Sequence, residues 1–131
     1  MIVLDASALL ELLLGTARAG TIGARALSSG EDVHAPHLLD VEIVQALRRL
    51  VRLEQITTER AEQALEDLES LVIERHPHRD LLPRIWQLRE SLTAYDGAYV
   101  ALAEALDAPL LTCDAKLGRS HGHGATIEVA N

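Results

Sequence analysis

The stretch that decides the fold is LTAYDGAYVALAEALDAPLLTCDAKL, residues 92–117. Thr93 stands where a helix N-cap would, since its hydroxyl can accept a backbone N–H from the opening turn. Behind it, Ala98, Tyr99, Leu102, Ala103 and Leu106 recur at helical spacing and predict one inward face running to about Leu106. Pro109 marks the chain beyond the end of that helix. Leu110 to Cys113 then reads as a short apolar strand, and Asp114 follows it at once, opening a short turn of helix to Leu117. The segment is a helix, a strand and an acid at the strand's carboxyl end.

The same pattern extends in both directions. Ile2 to Leu4 is a short strand that ends at Asp5, and Leu9, Leu10, Leu12, Leu13 and Leu14 crowd a helix stopped at Gly15. A second helix is predicted from about Ala17 to Leu27. Asp32 to Ala35 is a second strand, punctuated by Pro36. A strong helix follows from His37 to about Leu53, with Leu39, Ile43, Ala46, Leu47 and Leu50 at helical spacing. Thr57 or Thr58 caps the next helix, to near Glu69. Leu71 to Arg75 reads as a third strand, Asp80 to Ser91 as a helix with Pro83 in its first turn, and Thr126 to Val129 as a final strand. Strands alternating with helices predict an α/β fold whose parallel sheet is covered on both faces. Crossovers are expected to be right-handed. The ligand site of such a sheet lies beyond the carboxyl ends of its strands, where the strand order switches direction. With 131 residues and no repeat or linker, one domain over residues 1–131 is expected.

Composition narrows the function. Aromatics are 2% and Phe is absent, so Leu, Ala, Val and Ile must build the core. The net charge of −8 argues against binding nucleic acid through a broad basic face. It is compatible with a nuclease whose acids are offset by metal, and with a basic protein partner. The single cysteine, Cys113, precludes an internal disulfide and fits a reducing compartment. Met1 runs straight into Ile2-Val3-Leu4 without a basic leader, and no apolar stretch reaches membrane-spanning length. A cytoplasmic protein without membrane contact is expected.

Four acids occupy joints of this pattern: Asp5, Glu42, Asp96 and Asp114. Asp5 and Asp114 end strands, where they can also serve as helix N-caps. Asp96 lies three residues after Thr93, a spacing that helix-end electrostatics alone can explain. Glu42 has Leu38, Leu39 and Ala46 at helical spacing, which puts a carboxylate on or beside a buried stripe. A buried acid calls for a partner, either an arginine or a metal. In a parallel sheet, helices that follow or precede a strand start at the strand's carboxyl edge, so all four acids can converge there. At ~5 Å and an effective dielectric of ~20, each pair of charges would repel by about 3 kcal/mol. A divalent ion with oxygen ligands relieves that repulsion.

MIVLDASALL at the N-terminus, APHLLDVEIVQALRR, LTAYDGAYVALAEAL and PLLTCDAKL together resemble, in order, the motifs of PIN-domain ribonucleases, and more closely the VapC toxins of bacterial toxin–antitoxin pairs. The resemblance spans nearly the whole chain. It implies a three-layer α/β/α sandwich with a central parallel sheet. It also implies a metal-dependent endoribonuclease with Asp5, Glu42, Asp96 and Asp114 as catalytic acids. Asp5, Asp96 and Asp114 would be the ligands of Mg²⁺ or Mn²⁺, and Ser7 and Thr112 would be supporting hydroxyls. The implied partners are an RNA substrate, a cognate antitoxin and a second copy of the chain in a homodimer. Arg48, Arg49, Arg52, Arg84, Arg89, Lys116 and Arg119 are the basic groups available to RNA.

Two other classes compete. A phospho-receiver domain also uses an acidic metal pocket, a Thr and a Lys, here Asp5, Thr112 and Lys116, but its phosphoacceptor should follow the third strand, where His76-Pro77-His78 stands. A silent binding scaffold is disfavoured by the complete acidic set. His76-Pro77-His78 and His121-Gly122-His123 suggest a soft-metal site only weakly, because no cysteine pairs with them. Cys113 reads as a structural thiol.

Overall fold

A computed structural model describes residues 1–131. Its strands are β1 (Ile2–Leu4), β2 (Val33–Pro36), β3 (Glu74–His76), β4 (Leu110–Thr112) and β5 (Ile127–Val129). The helices are α1 (Ala6–Leu14), α2 (Ala19–Ala26), α3 (Leu38–Arg52), α4 (Thr58–Ser70), α5 (Leu82–Gln87), α6 (Ala94–Leu106) and α7 (Ala115–Gly118). The five strands form one sheet in the order β3-β2-β1-β4-β5, with every neighbouring pair parallel. Helices α1 to α4 pack on one another, and α5 packs on α6, which lies along β1, β2 and β4. The result is the three-layer α/β/α sandwich expected from the strand–helix alternation.

β1, β2 and β4 are buried throughout. That burial is what short apolar runs without alternation require. Ile2, Leu4, Leu9, Ile22, Leu39, Ile43, Leu110 and Tyr99 are among the fully buried side chains. The core therefore is aliphatic, with Tyr99 as its one large aromatic.

Two predicted elements change by more than a residue or two, each for a physical reason. The third strand starts at Glu74, not Leu71. As the edge strand it pairs only with β2, and its first partner is His34 opposite Glu74. Residues before Glu74 pair with nothing in β2, and Val72 is exposed. The predicted helix from Asp80 to Ser91 divides into a 3-10 turn, Arg79–Leu81, and the shorter α5. Pro83 has no N–H to offer the Arg79 carbonyl, which accepts from Leu82 in the tighter pattern instead.

The C-terminal strand is seated closely. A Cβ added at Gly118 in α7 would collide with Val129 Cγ2. Beyond β5, the Ala130 N–H donates to the Thr112 carbonyl at 2.8 Å. No helix is long and apolar enough to cross a membrane.

Candidate active site

The strand order reverses at β1, with β2 and β3 on one side and β4 and β5 on the other. Asp5 leaves the carboxyl end of β1 at this switch point, and Asp114 leaves the neighbouring β4. Both capping readings hold. Asp5 caps α1 by accepting the Ala8 N–H at 3.0 Å, and Asp114 caps α7 by accepting the Lys116 N–H at 2.9 Å. Capping occupies only part of each carboxylate.

Asp5 is 4% exposed. Its Oδ1 also accepts from Ser7 Oγ at 2.7 Å, and its Oδ2 accepts from Thr112 Oγ1 at 2.5 Å. Each of these hydroxyls in turn accepts a backbone N–H from the turn between β4 and α7. Ser7 Oγ takes that of Cys113 at 2.9 Å, and Thr112 Oγ1 takes that of Asp114 at 3.0 Å. With their protons committed to Asp5, the two hydroxyls fix the carboxylate against the backbone that positions Asp114.

Glu42 projects from the first half of α3 and accepts a hydrogen bond from Tyr99 OH at 2.6 Å. Glu42 is half-buried, and no arginine pairs with it. Asp96 sits in the first turn of α6, whose cap is Thr93: its hydroxyl accepts the Asp96 N–H at 3.1 Å. Asp96 and Tyr99 are three residues apart on that helix and so share a face.

Burial is the main cause that raises the pKa of Asp5, opposed by the hydrogen bonds from Thr112, Ala8 and Ser7 and reinforced by the charge of Asp114. Burial also raises Glu42 most, against the Tyr99 bond, with Asp96 and Asp5 adding to it. Asp96 is raised first by burial, then by Asp5 and Asp114, and the Thr93 hydroxyl opposes the rise. The Tyr99 phenol is held protonated, first by its own burial and then by Glu42. The four acids thus share one electrostatic neighbourhood. No Lys, Arg or His forms an ion pair with any of them.

No three of these carboxylates bring oxygens within 4.8 Å of one another; the only ligand group that tight is His34, Glu74 and His76. The four acids form a spread of anionic oxygens without a protein cation. Such a donor set fits a hard divalent ion, reached directly or through water.

Sequence reasoning passed over the role of Tyr99. It read as a core residue, and nothing local indicates that its hydroxyl meets Glu42, 57 positions away. Of the two histidine motifs, His121-Gly122-His123 has His121 exposed and His123 bonded locally. His123 accepts the Ala125 N–H on Nδ1 at 3.2 Å and lies 2.8 Å from Ser120 Oγ through Nε2. Cys113 is partly buried, and burial raises its pKa, as befits an unreactive thiol. The receiver alternative is not supported: β3 lies at the sheet edge, two strands from Asp5, and ends at His76.

The profile of the PIN domain family matches residues 2–120. Ribonuclease VapC12 of Mycobacterium tuberculosis is 48% identical over 129 residues, 98% of each chain. Ribonuclease VapC1 of the same organism is 46% identical over 128 residues, 97% of this chain and 96% of its own. Among solved structures, PAE2754 from Pyrobaculum aerophilum superposes with a TM-score of 0.71 at 27% identity, covering 98% of this chain and 83% of that one. VapBC2 from Rickettsia felis reaches a TM-score of 0.71 over the whole of both chains at 14% identity, a likeness of fold. The chain belongs to the PIN-domain family and, within it, to the VapC-type ribonucleases.

Proposed function

We propose that the chain, acting as one domain over residues 1–131, is a metal-dependent endoribonuclease and the toxin of a toxin–antitoxin pair. The observation that supports this reading is the group of four acids around the switch point, close enough that their charges raise the pKa of Asp5, Glu42 and Asp96, and without a basic side chain to neutralise them. Folding alone gives no reason to collect uncompensated carboxylates in one partly buried place.

Asp5, Asp96 and Asp114 would hold Mg²⁺ or Mn²⁺. When bound, such an ion offsets charge on the scissile phosphate and acidifies an attacking water. The chain's own residues do the rest. Ser7 and Thr112 hold the Asp5 carboxylate in one orientation, as supporting hydrogen bonds do around metal ligands. Glu42, desolvated and with a raised pKa, is a stronger base than an exposed glutamate. It would hold and deprotonate the water. The Tyr99 hydroxyl fixes one Glu42 oxygen and leaves the other free for that role.

RNA must approach an acidic protein through local basic groups. Arg48, Arg49, Arg52, Lys116 and Arg119 are exposed and outside any ion pair. Arg84 is taken by Glu104 and Arg89 by the Trp86 ring, so neither is free for that task. A groove of about 720 Å³ beside Glu42, lined by Leu10, Leu38, Val41, Leu50 and Tyr95 among others, with Arg49 at its wall, suits the antitoxin segment. A homodimer is proposed on family grounds.

The test is incubation of the purified protein with total cellular RNA, with and without Mg²⁺ or Mn²⁺, mapping new ends. Metal-dependent cuts that vanish in Asp5→Asn are expected. Cutting that persists in chelator, or at full rate in Asp5→Asn, would exclude the mechanism.

A further inference from the structure

We propose that His34, Glu74 and His76 form a second metal site, separate from the carboxylate pocket, that takes zinc or a similar borderline-soft divalent ion and fastens the edge of the sheet. Register creates the cluster. In the parallel β2–β3 pair, His34 stands opposite Glu74 and Pro36 opposite His76. Period-two alternation puts His34, Glu74 and His76 on one face. Arg75 falls on the other face, where Asp40 of α3 holds it through bonds of 2.7 and 2.8 Å.

His34 Nδ1 lies 2.8 Å from His76 Nε2 and 3.6 Å from Glu74 Oε2, and the three ligand atoms are all within 4.8 Å of one another. Two imidazoles and a carboxylate are a zinc donor set that leaves a fourth position for water. His34 is buried while Glu74 is exposed, so an ion can enter from solvent and still meet a rigid ligand. No Lys or Arg pairs with Glu74.

The far nitrogen of His34, Nε2, is buried without a partner. Without metal, the favoured tautomer carries its proton on Nδ1 and donates it to His76. Metal binding at Nδ1 moves that proton to Nε2, where nothing accepts it. This weakens the site relative to one whose outer nitrogen is hydrogen-bonded. What the ion would secure is clear from the surroundings. The His76 carbonyl accepts the His37 N–H at 2.9 Å, at the start of α3, the helix that carries Glu42.

The experiment titrates the full chain with Co²⁺, read by visible absorption, and with Zn²⁺, read by thermal melting. It compares wild type, Asp96→Asn, Glu74→Gln and His76→Ala. One equivalent of Co²⁺ should give the intense bands of a low-coordinate site in wild type and in Asp96→Asn, displaced by Zn²⁺. His76→Ala should lose them, and Glu74→Gln should weaken binding by at least ~10-fold. In the Asp96→Asn background Zn²⁺ should raise Tm, and adding His76→Ala to that background should remove the rise. Only weak six-coordinate bands in wild type, bands surviving His76→Ala, or bands lost in Asp96→Asn would overturn the proposal. If His76→Ala does not fold, unchanged affinity in Glu74→Gln overturns it.

Discussion

Carboxylates at two ends of this molecule meet opposite fates. Near the amino ends of the strands, Arg25 reaches Glu31 at 2.8 Å and Glu128 at 2.8 and 3.0 Å. On the flank, Arg84 grips both oxygens of Glu104 at 2.8 and 2.9 Å. Glu31 and Glu104 are accordingly lowered in pKa, each first by its arginine bond. At the carboxyl ends of β1 and β4, Asp5, Glu42 and Asp96 are raised, each first by burial. The chain has arginines to spare and spends none at the pocket. Paired acids serve the fold, whereas unpaired buried acids store repulsion that only something from outside relieves.

The largest effects should come from removing a pocket charge. Asp96→Asn should abolish RNA cleavage while raising the metal-free Tm. The sign follows from linkage. Acids whose folded pKa lies above the unfolded value favour folding at low pH, and that contribution is lost as pH rises through the raised values. The metal-free wild type should therefore gain Tm as pH falls from neutrality toward the ordinary carboxylate range. The gain should shrink in Asp96→Asn, and divalent ion should erase most of it at neutral pH. Equal pH slopes for wild type and mutant, by calorimetry without metal, would break the contrast between the two ends.

Glu42→Gln comes next, with kcat falling by ~10²–10⁴-fold if Glu42 is the base. A smaller loss accompanied by weaker metal binding would instead make it a ligand. Thr112→Val should lower metal affinity or activity by ~10–100-fold, because Asp5 loses its 2.5 Å donor and the Asp114 N–H loses its acceptor. The smallest effect is expected at the other kind of acid. Arg84→Ala should leave cleavage unchanged and reduce stability by ~0.2–1 kcal/mol, the range for an exposed ion pair. A large loss of activity there would mean that the flank contributes to RNA binding after all.

The legibility of this chain followed the range of the interactions involved. Gly15, Thr57, Thr93, Asp5 and Asp114 announce helix ends through their own backbone preferences, and the helix ends fall there. Convergence of the acids was readable because a parallel sheet sends every strand's carboxyl end to one edge. The Tyr99–Glu42 bond and the His34–His76 contact were not readable, since each depends on the register of distant elements. The early end of β3 was also hidden, because Leu71 to Arg75 carries β-forming residues whether or not a neighbour waits for them.

The Ala130 amide bonded to the Thr112 carbonyl has a practical side. Thr112 is the residue whose hydroxyl grips Asp5, so the tail and the pocket are joined through a single peptide unit. Any fusion partner attached after Asn131 begins one residue from that junction.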